Sequence, residues 1–232
     1  MVLLHGWGGS SESFSDMQKL LAHNFRVTAF DLPGFGRAKT LPKPWSIDNY
    51  VQFLSETVAK LRIESFSLAG HSFGGRVAIK FAVTHPEKLS VLILIASAGI
   101  KHKKSPESKA AGFVAKIGKK IFTLPFLKHF YSPARWILYK TLGRYDYYNA
   151  STLMRETMKL VIDEDLTPLL SKIITPTLII WGDKDTITPL QDAKIMHEKI
   201  KNSQLEIIKG AGHDIHRKNA SEVASLIKQF LQ

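Results

Sequence analysis

The chain is 232 residues long, 44% hydrophobic and 22% charged, with no cysteine. Such a composition belongs to a globular protein large enough to bury a substantial core, and it excludes both a disulfide framework and a thiolate metal centre. The net charge of +12 is uneven: residues 101–160 carry 13 Lys and Arg against 3 Asp and Glu, and all other residues carry 19 against 17.

The longest apolar run, Val91 to Ile100, is about half of what a membrane span needs. Met1-Val2-Leu3-Leu4 is too short for a signal-peptide core. No transmembrane segment is expected, and a cytoplasmic location is. In chain order, strands are predicted at 1–5, 25–30, 65–69, 90–96, 176–181 and 204–209, and helices at 11–23, 46–62, 73–84, 189–200 and 219–231. Apolar runs alternating with helical patterns at this spacing predict an α/β fold, a mostly parallel sheet flanked by helices. His85-Pro86 closes the third helix. Thr188, Pro189 and Gln191 read as the N-cap, N1 proline and capping-box partner of the fourth, and Asn219 with Glu222 as the start of the fifth.

Residues 101–165 break the alternation. With breaks at Pro106, Pro125, Pro133 and Gly143 and no convincing strand, they read as several helices. The chain is thus expected to divide into a first core part (1–100), a helical insertion (101–165) and a second core part (166–232). Ten aromatic residues lie between Phe113 and Tyr148. Lys101, Lys103, Lys104, Lys109, Lys116, Lys119 and Lys120 interleave with Phe113, Val114, Ile117, Ile121 and Phe122 at helical spacing, a basic amphipathic stretch. It reads as a solvated helix face, or as an attractor for anionic substrates or an anionic lipid surface. No nucleic-acid module accompanies the charge, so no nucleic-acid partner is expected.

The chemistry-bearing segments sit at predicted strand ends, where an open α/β sheet gathers its ligands. Gly70-His71-Ser72-Phe73-Gly74-Gly75 follows a strand and opens a helix, the G-x-S-x-G arrangement that projects a serine from a sharp turn. Small residues at 70 and 74 let the chain cross itself there, and the turn aims the Phe73 amide at the place where an oxyanion would form. Gly182-Asp183-Lys184-Asp185 and Gly210-Ala211-Gly212-His213 follow later strands, offering two carboxylates and an imidazole in the chain order Ser, Asp, His. Neither an H-x-x-x-H or H-E-x-x-H spacing nor a G-x-G-x-x-G after a strand is present, so neither metal nor cofactor is expected.

Five ordered motifs resemble the α/β-hydrolase family, specifically its capped serine-hydrolase members, the carboxylesterases and meta-cleavage-product hydrolases. They are His5-Gly6-Trp7-Gly8-Gly9, Asp31-Leu32-Pro33-Gly34-Phe35-Gly36, the elbow at 70–75, Trp181-Gly182 with Asp185, and Gly210 to His213. The resemblance implies a Ser72, His213, Asp185 triad, with Asp185 preferred over Asp183 by its place in W-G-x-x-D. It implies an oxyanion hole from the N–H groups of Trp7 and Phe73, and a helical cap in residues 101–165. His5, Asp31, Arg37 and Asp214 are expected to be structural. The family's N-terminal β-hairpin is missing ahead of His5, which is expected to leave strand 25–30 at a sheet edge. The implied activity is cleavage of a small-molecule carboxylic ester through an acyl-enzyme. The alternatives are hydrolysis of a carbon–carbon bond in a vinylogous diketone and a non-catalytic ligand receptor on the same fold.

Overall fold

A computed structural model describes residues 1–102 and 150–232. The predicted helix breaks, the basic amphipathic stretch beyond His102 and the ten aromatic residues lie outside the described residues. Two compact units emerge, Met1–Lys101 with Thr157–Gln232, and His102–Glu156. The first contains a six-stranded sheet.

Its strands are β1 (Val2–Leu4), β2 (Thr28–Ala29), β3 (Phe66–His71), β4 (Leu89–Ile95), β5 (Thr177–Gly182) and β6 (Ser203–Ile208). They lie in the order β2-β1-β3-β4-β5-β6, and every pairing is parallel. β2 and β6 form the two edges among the described residues. Central strands must bury both faces, which is why β5 is apolar almost throughout and wholly buried.

The described helices are α1 (Ser15–Ala22), α2 (Ile47–Lys60), α3 (Phe73–Thr84), α4 (Thr152–Asp163), α5 (Thr167–Leu170), α6 (Leu190–Lys199), α7 (Ile215–Lys218) and α8 (Ala220–Leu231). On one sheet face Leu3, Ala69, Ile93, Ile95, Leu178 and Ile180 form a core with Phe14, Met17 and Leu21 and with Val223, Ala224 and Ile227 of α8. Alternation along the strands sends the intervening side chains to the other face, where α3 packs on β1, β3 and β4 and α6 on β5 and β6. α2 buries Ile47, Tyr50, Val51, Leu54 and Val58, the stripe expected of a helix with one side on the core.

Several boundaries differ from the sequence reading. The strand expected at 25–30 shrinks to Thr28–Ala29, as an edge strand with one partner. The helix expected at 11–23 splits into a 3-10 turn, Ser11–Phe14, and α1, while the last helix gains a separate first turn, α7. α6 begins at Leu190 without a side-chain cap. Thr188 is not its N-cap, because its hydroxyl is engaged elsewhere.

The α3–β1 contact is close enough to forbid a side chain. A Cβ on Gly74 would collide with the backbone carbonyl of Leu4, and one on Gly70 with the backbone of Gly74 and Gly75. Gly74→Ala must therefore push the helix off the sheet. It is expected to cost about 2–3 kcal/mol, read as a lower urea midpoint at unchanged slope.

Candidate active site

β3 ends at His71 and α3 begins at Phe73, so Ser72 alone makes the turn. Its φ of 50° and ψ of -111° are a strained backbone for a residue with a Cβ, at a cost of about 1–3 kcal/mol. Three main-chain bonds hold it there. Ser72 N–H donates to the Ile95 carbonyl at 3.2 Å, and the Ser72 carbonyl accepts from Gly75 N–H and Ala98 N–H, each at 3.0 Å. Phe73 opens α3, so its N–H has no acceptor within the helix.

The loop after β1 lies beside this turn. A Cβ on Gly6 would come within 3.3 Å of Ser72 Cβ. Gly9 N–H closes the loop on the Gly6 carbonyl at 3.1 Å, with Gly8 at a φ of 72°. His5 is fully buried and organises the same loop: Leu32 N–H donates to Nε2 at 3.0 Å, which leaves the proton on Nδ1 to bond the Gly6 carbonyl at 2.8 Å. Burial lowers its pKa, only partly offset by the Gly6 bond and by Asp31. The Trp7 ring meets Phe73 edge to face at 5.3 Å and Phe35 at 4.9 Å, bringing the two expected oxyanion residues side by side. Asp31 staples the neighbouring turn, accepting N–H bonds from Ser11 and Arg37 at 2.6 Å each. The Arg37 guanidinium pairs with Glu12 on the surface at 3.7 Å.

Asp185 and His213 come from loops after β5 and β6. His213 Nδ1–H donates to Asp185 Oδ2 at 2.8 Å. The other carboxylate oxygen accepts N–H bonds from Ile187 at 2.8 Å and Thr188 at 2.9 Å. Burial raises the carboxyl's pKa, but the hydrogen bond and charge of His213, with the two N–H bonds, outweigh it and hold Asp185 below its ordinary value. Asp183, the rival carboxylate, instead accepts from Gly210 N–H at 2.7 Å and ties the two loops together.

Thr188 is the residue sequence reasoning misplaced. Its hydroxyl lies 2.8 Å from Asp185 Oδ2, 3.2 Å from His213 Nδ1 and 3.2 Å from the Ala96 carbonyl, and its own carbonyl accepts from the Trp181 indole N–H at 2.8 Å. The Asp-x-x-Thr spacing was the available signal, since an aspartate that accepts from the amides two and three residues on makes a turn of its own. Thr188→Val leaves buried acceptors short of a donor, and is expected to cost about 1–2 kcal/mol and lower Tm by several degrees. Thr188→Ser should recover most of both.

His71 makes contacts that no sequence pattern marks. It is 4% exposed, and its Nε2–H donates to the His213 carbonyl at 3.1 Å. Its ring lies 4.8 Å from that of His213 and 3.8 Å from that of His216, centroid to centroid. Burial, then the neighbouring His216 and His213, drive its pKa well below the ordinary value, the His213 carbonyl opposing. Burial likewise pushes His216 down to about 4, against a partial pull from Asp214. His71, His216 and the exposed Asp214 bring ligand-type atoms within 4.8 Å of one another. Yet the two rings stack with 32° between their planes. Imidazoles on one tetrahedral ion spread their centroids to roughly 5 Å, well beyond the 3.8 Å found here. The arrangement is that of packed neutral rings.

The sequence-expected residues thus assemble as two sets: Trp7, Ser72 and Phe73 at the elbow, and Asp185 with His213 across the ends of β5 and β6. His71 links the sets directly, its Nε2–H reaching the His213 carbonyl from the residue before Ser72. Among the described residues no hydrogen bond joins Ser72 Oγ to His213.

The sequence profile of the Alpha/beta hydrolase family matches residues 1–226. A pimeloyl-[acyl-carrier protein] methyl ester esterase of Neisseria meningitidis serogroup A is 29% identical over 245 residues, covering 100% of this chain and 76% of that protein. MenH from S. aureus superposes with a TM-score of 0.72 at 27% identity, over 99% of this chain and 92% of that one. The meta-cleavage product hydrolase of Pseudomonas fluorescens shares the fold, with a TM-score of 0.72 at 21% identity over 99% and 89% of the two chains. Elbow, sheet order and profile agree, and the chain belongs to the Alpha/beta hydrolase family.

Proposed function

We propose that this hydrolase cleaves a small-molecule carboxylic ester through an acyl-enzyme, with Ser72 as nucleophile, His213 as general base and acid, and Asp185 as the orienting carboxylate. One observation carries the reading: His213 Nδ1–H is bonded to the buried, ionised Asp185 at 2.8 Å. That bond leaves Nε2 as the basic nitrogen.

In the first step Nε2 takes the Ser72 proton as Oγ adds to the ester carbonyl. The imidazolium then protonates the departing alkoxide, leaving an acyl-serine. Water repeats the sequence to release the acid. The N–H groups of Trp7 and Phe73 meet the tetrahedral oxyanion, each contributing about 3 kcal/mol to barrier lowering. A serine-to-imidazole bond that forms with bound substrate is usual for such sites.

Residues 101–165 are assigned as the cap that selects the substrate, and their basic excess favours esters that carry a negative charge or are presented at an anionic membrane surface. Among the described residues no helix is long and apolar enough to cross a membrane. Cytoplasmic residence is part of the proposal, resting on the cysteine-free composition.

A panel of p-nitrophenyl esters of increasing acyl length, assayed beside a meta-cleavage-type diketone, tests the reading. Ester turnover with an initial burst of p-nitrophenol equal to the enzyme concentration is expected. Turnover of the diketone alone would transfer the same triad to carbon–carbon scission, and turnover of neither would leave a ligand receptor.

A further inference from the structure

The His71 imidazole sits where the three loops of the site meet. It is the last residue of β3, directly before Ser72. A Cβ on Gly6 would come within 2.9 Å of its Nδ1, so the ring is packed against the loop that follows β1. Its opposite nitrogen reaches the main chain of His213, and the His216 ring stacks on it. A carbonyl only accepts, so Nε2 carries the ring proton, and Nδ1 is left as a bare lone pair, buried without a partner among the described residues.

That bare nitrogen is informative. A buried acceptor without a donor is unfavourable, and a methionine or leucine would fill similar space without it. Packing alone therefore does not account for an imidazole here. What an apolar side chain cannot supply is the N–H directed at the carbonyl of residue 213. Asp185 orients the His213 ring from its Nδ1 side, and Asp183 and Lys184 tie the preceding residues of that loop to the end of β5. The His71 bond acts on the main chain of residue 213 itself, and does so from the residue adjoining Ser72.

We propose that His71 is a positioning residue for the general base: its Nε2–H bond to the His213 carbonyl fixes the loop that carries the imidazole against the strand that carries the nucleophile. The proposal rests on the serine-hydrolase reading above. Its effect belongs to kcat, since the bond ties the strand that ends at Ser72 to the loop that carries the His213 imidazole, and a displacement of about 1 Å between reacting groups costs up to roughly 100-fold in rate.

The test compares His71→Met, which lacks the donor, with His71→Gln, whose side-chain amide can present an N–H at nearly the same place. Both are assayed on the best p-nitrophenyl ester, with thermal unfolding followed in parallel. His71→Met is expected to lower kcat about 10- to 100-fold with KM within threefold and an unchanged or higher Tm, and His71→Gln to return kcat to within about threefold of the unmodified protein. Wild-type kcat in His71→Met would overturn the role, as would equal loss in both variants. If His71→Met does not fold, His71→Leu is read in its place; failure of both, with His71→Gln folded, assigns the bond to folding and equally overturns it. Ser72→Ala in the same assay keeps the two claims apart. Full turnover in that variant removes the serine-hydrolase reading itself, whereas an indifferent His71→Met removes only the positioning role.

Discussion

Replacing Ser72 by alanine is expected to lower kcat by roughly 10^5- to 10^6-fold and to abolish labelling by a fluorophosphonate, with KM little changed. The magnitude follows from nucleophile and base acting as one unit, in which loss of either removes the covalent route and leaves only binding and the oxyanion donors. Stability should hardly move. The strain at position 72 resides in a backbone that alanine shares, and the three bonds that hold it are all main-chain. Ser72→Ala thus separates chemistry from folding, with single-turnover kinetics and a melting curve as the two readouts. Persistent labelling at another residue would show that the elbow serine is not the nucleophile.

Asp185→Asn should be nearly as severe, about 10^4-fold in kcat. An asparagine can still accept the Ile187 and Thr188 N–H bonds through its oxygen, which turns its amide nitrogen toward His213 Nδ1. Two donors then face each other, and the imidazole relieves the conflict by moving its proton to Nε2, the nitrogen that receives the Ser72 proton in the proposed mechanism. Asp183→Asn serves as the matched control. It keeps an acceptor for Gly210 N–H and is expected to change kcat only a few-fold.

The same carboxylate gives a pH signature of stability. Its folded-state pKa is depressed, so its contribution is fully present above the ordinary carboxylate value of about 4 and disappears as pH falls through the lower, folded value. The stability gap between the unmodified protein and Asp185→Asn should be flat from pH 6 to 8 and close in acid, as urea midpoints across that range would show. A gap that widened in acid would contradict the ionised state assigned to Asp185.

How much of this was legible in the linear chain depends on what kind of physics placed each residue. Runs such as Thr177 to Trp181 announced buried strands because a strand covered on both faces has no choice but to be apolar throughout. Gly70 and Gly74 announced the elbow because no side chain fits where strand and helix cross. The edge strand was overestimated, since Phe25, Val27 and Ala29 pack on the core while Thr28–Ala29 alone forms β2. Thr188 was misread because Thr-Pro before a helix is an ordinary capping pattern, and nothing local told that hydroxyl to choose Asp185 over the helix amides. His71 and His216 offered no pattern at all, being 145 positions apart and stacked only in the folded protein.

The order of motifs along the chain therefore determined the α/β class, a mostly parallel sheet and the placing of one serine, two carboxylates and an imidazole at strand ends, because these depend on short-range sterics and on which runs are too apolar to meet water. Which carboxylate bonds His213, where the Thr188 hydroxyl points, and which ring joins the end of β3 to the loop after β6 were decided only in three dimensions. Each is a choice among hydrogen-bond partners supplied by different strand ends, and side-chain direction there is set by packing rather than by neighbours in sequence.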